Sequence, residues 1–225
     1  MATVITELGT NLTLPDSFGS LADFRDWIHS DARPARGRFT FTCRGFEIDM
    51  SPERISGHNE IKAQLYVVVG SLVESQRSGK IFPDGALLVN EDADLGCEPD
   101  MLFCNWETLR SGRVAYRAWK RDDEGDVELW GSPDLVVEVI SNSSVRKDTI
   151  DLRRAYFDAG ITEYWLIDGR NDEIEFSLLI RGENCFVPVT LDADGFLESS
   201  VLGRKFRFVR EQDPIGGFQC RLLVQ

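Results

Sequence analysis

The run DLVVEVI, Asp134 to Ile140, constrains this chain more than any other stretch, because it is β-branched and apolar on both faces apart from Asp134 and Glu138. A strand of that kind is covered on both sides, the usual state of a central strand in an α/β sheet. The residues after it set the connection. Ser143 or Ser144 offers an N-cap, Leu152, Ala155, Tyr156 and Ala159 make an apolar stripe, and Gly160 stands where a helix would close. The next run, EYWLID, reads as a second buried strand. Strand, helix and strand in direct succession form a β-α-β crossover, so the two strands are expected to be parallel neighbours.

Other elements gather around this unit. Residues 1–37 read as an N-terminal segment, polar and irregular up to Ser20, which caps a short helix bearing Leu21, Phe24, Trp27 and Ile28. RFTFT and GFEIDM form an expected hairpin, and Ile61, Leu65, Val68, Val69 and Leu72 fall at helical intervals after Gly57. Short strands are expected at 86–89, 101–104 and 127–130, with a later hairpin from EIEFSLLI and CFVPVTL. With no repeat or linker in view, residues 38–225 are expected to form one α/β domain, a mixed sheet flanked by helices with a C-terminal antiparallel extension. Trp106, Trp119, Trp130 and Trp165 are assigned to packing, and the acids of 121–126 to a solvated turn.

Charge narrows the function classes. A net charge of −13 opposes the basic footprint of a nucleic-acid binder, so contact with a polyanion would need a local strip such as Arg146, Lys147, Arg153 and Arg154. No apolar run approaches the roughly 18–20 residues of a membrane span, and the first residues do not resemble a signal peptide, so a cytoplasmic protein without membrane contact is expected. Five cysteines without a CxxC pair read as free thiols, and two histidines exclude a histidine-rich zinc site. Any metal would be a hard ion on oxygen ligands.

The chemistry centres on Glu138. A carboxylate inside a central strand costs several kcal/mol of desolvation unless it is paired or metal-bound. Asp134 lies on the same face but roughly 13 Å away at strand rise, too far to share an ion. A second acid must come from another strand, and Asp100, after Pro99 at a strand entrance, is the candidate. Asp and Glu on neighbouring strands with a backbone carbonyl would suit Mg²⁺ or Mn²⁺, an ion able to activate water and steady a phosphoryl transition state. The alternative is structural, with Glu138 paired to an arginine of the following helix such as Arg154.

The stretch PDLVVEVISNSSVRKDTIDLRRAYFDAGITEYWLID resembles the signature of the Uma-two family of restriction-endonuclease-like proteins in the PD-(D/E)xK nuclease superfamily. EIDMSPERISGHNEIKAQL and EPDMLFCNW resemble the same family's hairpin, first helix and PD segment, so the likeness covers roughly residues 38 to 170. It implies a restriction-endonuclease-like fold and a metal-dependent DNA endonuclease, with Asp100 as the PD aspartate, Glu138 as the second acid, and His58, Asn59 and Glu60 on a facing helix. At the lysine position of the motif stands Ile140, and at the matching position of the next helix Leu152, which leaves Lys147, then Arg146 and Lys120, as the nearest cations. The expected site is therefore Asp100, Glu138 and the Val139 carbonyl on the metal, Lys147 assisting, and His58, Glu60 and Arg146 as accessories. His58 reads equally as a helix cap, Glu60 as an exposed acid, Lys147 as a solvated lysine and Asp148 as a first-turn acid. A catalytically inactive nuclease fold kept for binding is the rival reading; a hydrolase acting on something other than nucleic acid lacks any supporting motif. A homodimer would suit cleavage of two strands.

Overall fold

The structure, a computed structural model, describes residues 2–5, 11–14, 19–118 and 127–225. Trp119, Lys120 and the acids of 121–126, where a solvated turn is expected, lie outside the described residues. Strands β1 (Ala2–Ile5) and β2 (Asn11–Leu14) pair antiparallel, a hairpin where irregular chain is expected from sequence. Helix α1 (Leu21–Ile28) begins at Ser20, whose side chain accepts a hydrogen bond from the Asp23 amide at 3.2 Å. The predicted hairpin follows as β3 (Arg38–Thr42) and β4 (Gly45–Asp49). A kinked turn over Ile55–Asn59 then leads into α2 (Glu60–Gln76).

Next come β5 (Gly79–Pro83), β6 (Leu87–Asn90), β7 (Leu95–Cys97), β8 (Met101–Asn105), the short helix α3 (Trp106–Arg110), β9 (Val114–Arg117) and β10 (Glu128–Gly131). The crossover is built from β11 (Leu135–Val139), a wide turn over Lys147–Leu152 continuing as α4 (Arg153–Asp158), and β12 (Glu163–Asp168). The chain ends in β13 (Glu175–Arg181), β14 (Phe186–Pro188), β15 (Leu197–Ser199), β16 (Arg204–Gln212) and β17 (Phe218–Val224).

One mixed sheet has the order β4-β3-β7-β6-β10-β9, the second β14-β13-β12-β11-β8-β5, and β15-β16-β17 form the antiparallel extension. β11 and β12 are parallel, with Leu135 opposite Glu163 and Val139 opposite Ile167, as the crossover requires. Gly160, at φ 78°, closes α4, and the Ile161 amide returns to the Tyr156 carbonyl at 3.1 Å.

β11 is buried along its whole length because each face meets a different layer. Val137 and Val139 join Ile61, Leu65 and Val69 of α2 and Phe206 of the extension. Val136 joins Leu152, Tyr156 and Tyr164 of the crossover. A third core, from α1 and the first sheet, holds Phe24, Trp27, Phe39 and Trp130. No helix among the described residues is long and apolar enough to cross a membrane, and all five cysteines are free.

Helix α1 is fastened to β10 by Glu128, which is buried and accepts hydrogen bonds from Arg25 Nε at 2.9 Å, Arg25 Nη2 at 2.7 Å and Trp130 Nε1 at 2.7 Å. His29 Nε2 lies 3.0 Å from the same carboxylate. Burial alone would raise the Glu128 carboxyl, but the bonds from His29, Arg25 and Trp130 outweigh it and hold the group at about 2. Its folded value is below the ordinary 4.5, so its contribution is present above pH 4.5 and lost as pH falls through about 2. Glu128→Ala is expected to cost about 2–3 kcal/mol in urea unfolding at pH 7, less than a fully enclosed pair because Arg25 keeps some contact with water. An unchanged midpoint would mean that α1 is held by its apolar face alone.

Candidate active site

Two strand registers bring acids to one level. The β8–β11 ladder ends with Met101 opposite Val137, and one further step faces Asp100 with Glu138. The β5–β8 ladder ends with Pro83 opposite Met101, and the same step sets Asp84 beside Asp100. Directly opposed residues of antiparallel strands project to one side of the sheet.

Asp100 is buried, at 3% exposure, and its Oδ2 accepts the Val139 amide at 2.7 Å. Its Oδ1 lies 3.3 Å from Lys62 Nζ and 3.4 Å from Arg38 Nη2. Burial alone would raise its carboxyl; Arg38 and Lys62, with His58 and the Val139 amide, hold it below the ordinary carboxylate value. Asp100 is therefore ionised at neutral pH. Lys62 also reaches Asp84 Oδ2 at 2.5 Å and Glu53 Oε1 at 3.0 Å, and Arg38 pairs with the same Glu53 oxygen. Tyr66 donates to the Asp100 carbonyl at 2.8 Å and accepts from the Asp84 amide at 3.1 Å.

Glu138 is also buried but differently provided for. Its hydrogen-bond partner among the described residues is Tyr156 of α4, whose hydroxyl donates to Oε1 at 2.5 Å. Burial, opposed by Lys147 and reinforced by Asp148 and Asp100, pushes its carboxyl up to about 8. Two other buried acids, Asp134 and Glu163, have fuller sets of donors. Asp134 accepts from the Asn105 amide, Asn105 Nδ2, Thr108 and Arg113, and Glu163 from Trp165, Ser199 and Ser200. Those acids brace the fold, whereas Glu138 stands undercompensated beside an ionised neighbour.

The remaining predicted positions divide. Lys147 is buried rather than solvated, 2.8 Å from Asp148 Oδ1, and Glu138 and Asp148 keep its ammonium charged against burial. Asp148 is an acid of the first turn, as expected, and is buried with it. His58 does not cap its helix: both ring nitrogens are buried without a hydrogen-bond partner, Nδ1 lying 3.5 Å from Glu53 Oε2 and Nε2 3.9 Å from Asp100 Oδ2. Burial pulls the ring below the ordinary histidine value, so it is neutral at pH 7.

Glu60 is half-buried against Cys220 of β17, and Arg146 is exposed, 3.7 Å from Asp151. Neither joins Asp100. The expected arginine partners of Glu138 turn elsewhere, Arg154 to Asp158 and Arg153 to the Phe186 carbonyl. The basic strip is not formed either, because Lys147 turns inward and Arg153 donates to the Phe186 carbonyl.

Ile140 and Leu152 are buried apolar residues, and the cations nearest Asp100 come from elsewhere, Lys62 on α2 and Arg38 on β3. Sequence reasoning missed both, along with Glu53, Asp84 and Tyr156. A signal existed for one: His58, Lys62 and Tyr66 follow an i, i+4, i+8 spacing, one helix face, and a lysine in such a row needs an acid opposite it. Gly57 makes the row possible. It adopts φ 91°, and a Cβ there would stand 2.8 Å from the Gly169 carbonyl oxygen, so only glycine lets this turn approach the end of β12.

Two clefts are lined by residues that contact Asp100, His58 in one and Arg38 in the other. A cavity of about 430 Å³ lies between the turn before α2 and the ends of β11 and β12, with His58 and Ile140 in its wall. A second, of about 420 Å³, holds Arg38, Glu53 and Asp84, and Ser51 lines both.

No curated protein matches the chain. A crystal structure described as a putative nuclease belonging to DUF820, from Anabaena variabilis, superposes with a TM-score of 0.57 at 15% identity, over 82% of this chain and 90% of that one. That likeness is one of fold. The family described as Uma2, "Putative restriction endonuclease", matches residues 21–207, a span that holds Asp100, Glu138 and the whole crossover, and the protein belongs to that family.

Proposed function

We propose that this protein is a divalent-metal-dependent phosphodiester hydrolase acting on DNA. The observation that carries this reading is the pairing of two buried acids in opposite states, Asp100 held ionised and Glu138 pushed up to about 8. A buried acid short of compensating charge, beside an ionised one, is a place where a cation would lower the free energy.

The donor set fits a hard ion. Asp100, Glu138 and the Val139 carbonyl offer only oxygen, which suits Mg²⁺ or Mn²⁺. Among the described residues no group of three or more His, Cys, Asp or Glu side chains is arranged to hold a metal, so water and substrate oxygens would complete the shell, the usual habit of Mg²⁺. When bound, the ion supplies Lewis acidity toward phosphoryl oxygen and makes water a better nucleophile. Lys147, charged and enclosed, would place a fixed positive charge near the leaving oxygen, where a low dielectric strengthens it. Lys62 and Arg38 would keep Asp100 ionised and oriented.

The rival reading, a nuclease fold kept for binding, is favoured by one feature: Asp100 Oδ1 already faces two cations, Lys62 and Arg38. Manganese calorimetry alongside cleavage of a labelled oligonucleotide and of supercoiled plasmid separates the two. The hydrolase predicts manganese binding and EDTA-sensitive cleavage. Lys147→Ala is expected to lower the cleavage rate about 10²- to 10³-fold while manganese binds as well or better, since a competing cation has been removed. Absence of manganese binding by the wild-type protein would overturn the hydrolase.

A further inference from the structure

We infer that the cavity beside His58 is a subsite for one nucleotide of an unpaired nucleic-acid strand, and that the protein prefers single strands to duplex. This rests on the hydrolase reading for its biological sense but not for its test.

The lining is the first observation. Arg54, His58, Ser141, Asn142, Ser143 and Arg170 present guanidinium, imidazole, hydroxyl and amide groups, and no Asp or Glu among the described residues lines it. In a chain of net charge −13, an acid-free cavity with two arginines is the feature that selects an anion. Arg170 is tied to Asp168 through Nε at 2.8 Å and Nη2 at 2.6 Å, which fixes it in place. The Arg54 side chain has no hydrogen bond or ion pair among the described residues.

His58 is the second observation. Its side chain is 96% buried and lines the cavity, yet neither nitrogen has a hydrogen-bond partner. Buried polar atoms are rarely left so; Nδ1 lies toward Glu53 and Nε2 toward Asp100, so the ring lends the cavity a neutral wall on the side of those acids. Pro52 and Ile140 add apolar wall suited to a sugar or base.

Shape and charge then select the strand. A volume of about 430 Å³ lies in the range of small-molecule pockets and admits a nucleotide, but not the rigid width of a double helix. Ser51 also lines the second cleft, where Arg38 stands among Asp49, Glu53, Asp84 and Glu98, so the acid-free cavity is the part of this surface that would hold the nucleotide. An acidic body repels duplex DNA, with one charge per about 1.7 Å, more strongly than a single strand.

Fluorescence anisotropy with a labelled oligothymidylate, alone or annealed to its complement and with EDTA present throughout, tests this on the full chain. The single strand is expected to bind at least about tenfold more tightly than the duplex. Arg54→Glu and Asn142→Asp, on opposite walls and both exposed, are each expected to weaken single-strand binding about tenfold, and Arg54→Glu to lower the salt slope by about one. Arg204→Glu on β16 makes the same charge change as Arg54→Glu away from the cavity and is expected to cost less than about threefold. Circular dichroism melts confirm that each variant is folded.

Equal binding of duplex, equal weakening by Arg204→Glu, or no binding of the single strand would each overturn the subsite. Binding as expected without manganese affinity or cleavage would leave the subsite standing and remove the hydrolase. Metal-dependent cleavage with a duplex preference would do the reverse.

Discussion

Asp100→Ala is expected to lower the unfolding free energy by about 3 kcal/mol and to abolish cleavage together with manganese binding. The stability loss stems from what the carboxylate serves: Lys62 and Arg38, with side chains only 8% and 21% exposed, and the buried Val139 amide all lose a partner. Lys62 keeps Asp84 and Glu53, which places the loss at the lower end of the 3–5 kcal/mol range for breaking a buried pair. Asp100→Asn retains an acceptor for the amide and loses only the charge, so an intermediate cost of about 1–2 kcal/mol is expected. Urea denaturation at pH 7 reads both. If Asp100→Ala were as stable as the wild type, the Lys62–Arg38 network would be satisfied without it.

Glu138→Gln should behave in the opposite way, with stability at pH 7 kept or slightly raised while manganese affinity and cleavage fall by more than about 100-fold. Even the outer-shell partners of metal ligands typically cost 10- to 100-fold, so a direct ligand should cost more. The reason is the protonation state. With its carboxyl at about 8, Glu138 is protonated at neutral pH in the metal-free protein, and glutamine imitates that form.

Its folded value lies above the ordinary 4.5, so the folded chain holds a proton that the unfolded chain has released. Its contribution is complete below about 4.5 and is lost as pH rises through about 8. The metal-free wild type should therefore lose stability across that window, and Glu138→Gln should flatten the slope. Manganese binding at pH 7 should release close to one proton, visible as a dependence of calorimetric heat on buffer ionisation enthalpy, and apparent affinity should rise about tenfold per pH unit up to about 8. Proton release that persists in Glu138→Gln would assign the proton to another group.

The opposite behaviours of these two acids arise from their surroundings, not from their residue types. Asp100 sits where α2 and β3 deliver cations, and Glu138 where α4 delivers a tyrosine hydroxyl. A nuclease fold can thus hold one acid charged and keep the other ready to lose its proton, provided the two lie on adjacent strands at one level.

Periodicity and turn chemistry were enough to read the crossover. DLVVEVI had to be central because no single-sided strand carries apolar residues at both parities, and Gly160 had to end the intervening helix because it supplies a left-handed residue at the closing position. The parallel pairing of β11 and β12 came from those local rules, as did the 38–49 hairpin and the isolation of Glu138 as an acid needing explanation. Local rules do not extend to partners far apart in sequence. Arg38, Glu53, Lys62, Asp84 and Asp100 meet because a kinked turn at Gly57, the start of α2 and the ends of β5 and β8 converge, and the sequence separations among them carry no periodic mark. The same limit explains Lys147, which the sequence leaves open between an assisting cation and a solvated lysine and which the fold buries beside Asp148, within electrostatic reach of Glu138. Side-chain type and spacing decided which strands and helices form; only tertiary packing decided which charges face one another, because electrostatic pairing depends on distance through space and burial depends on what the rest of the chain lays over each group.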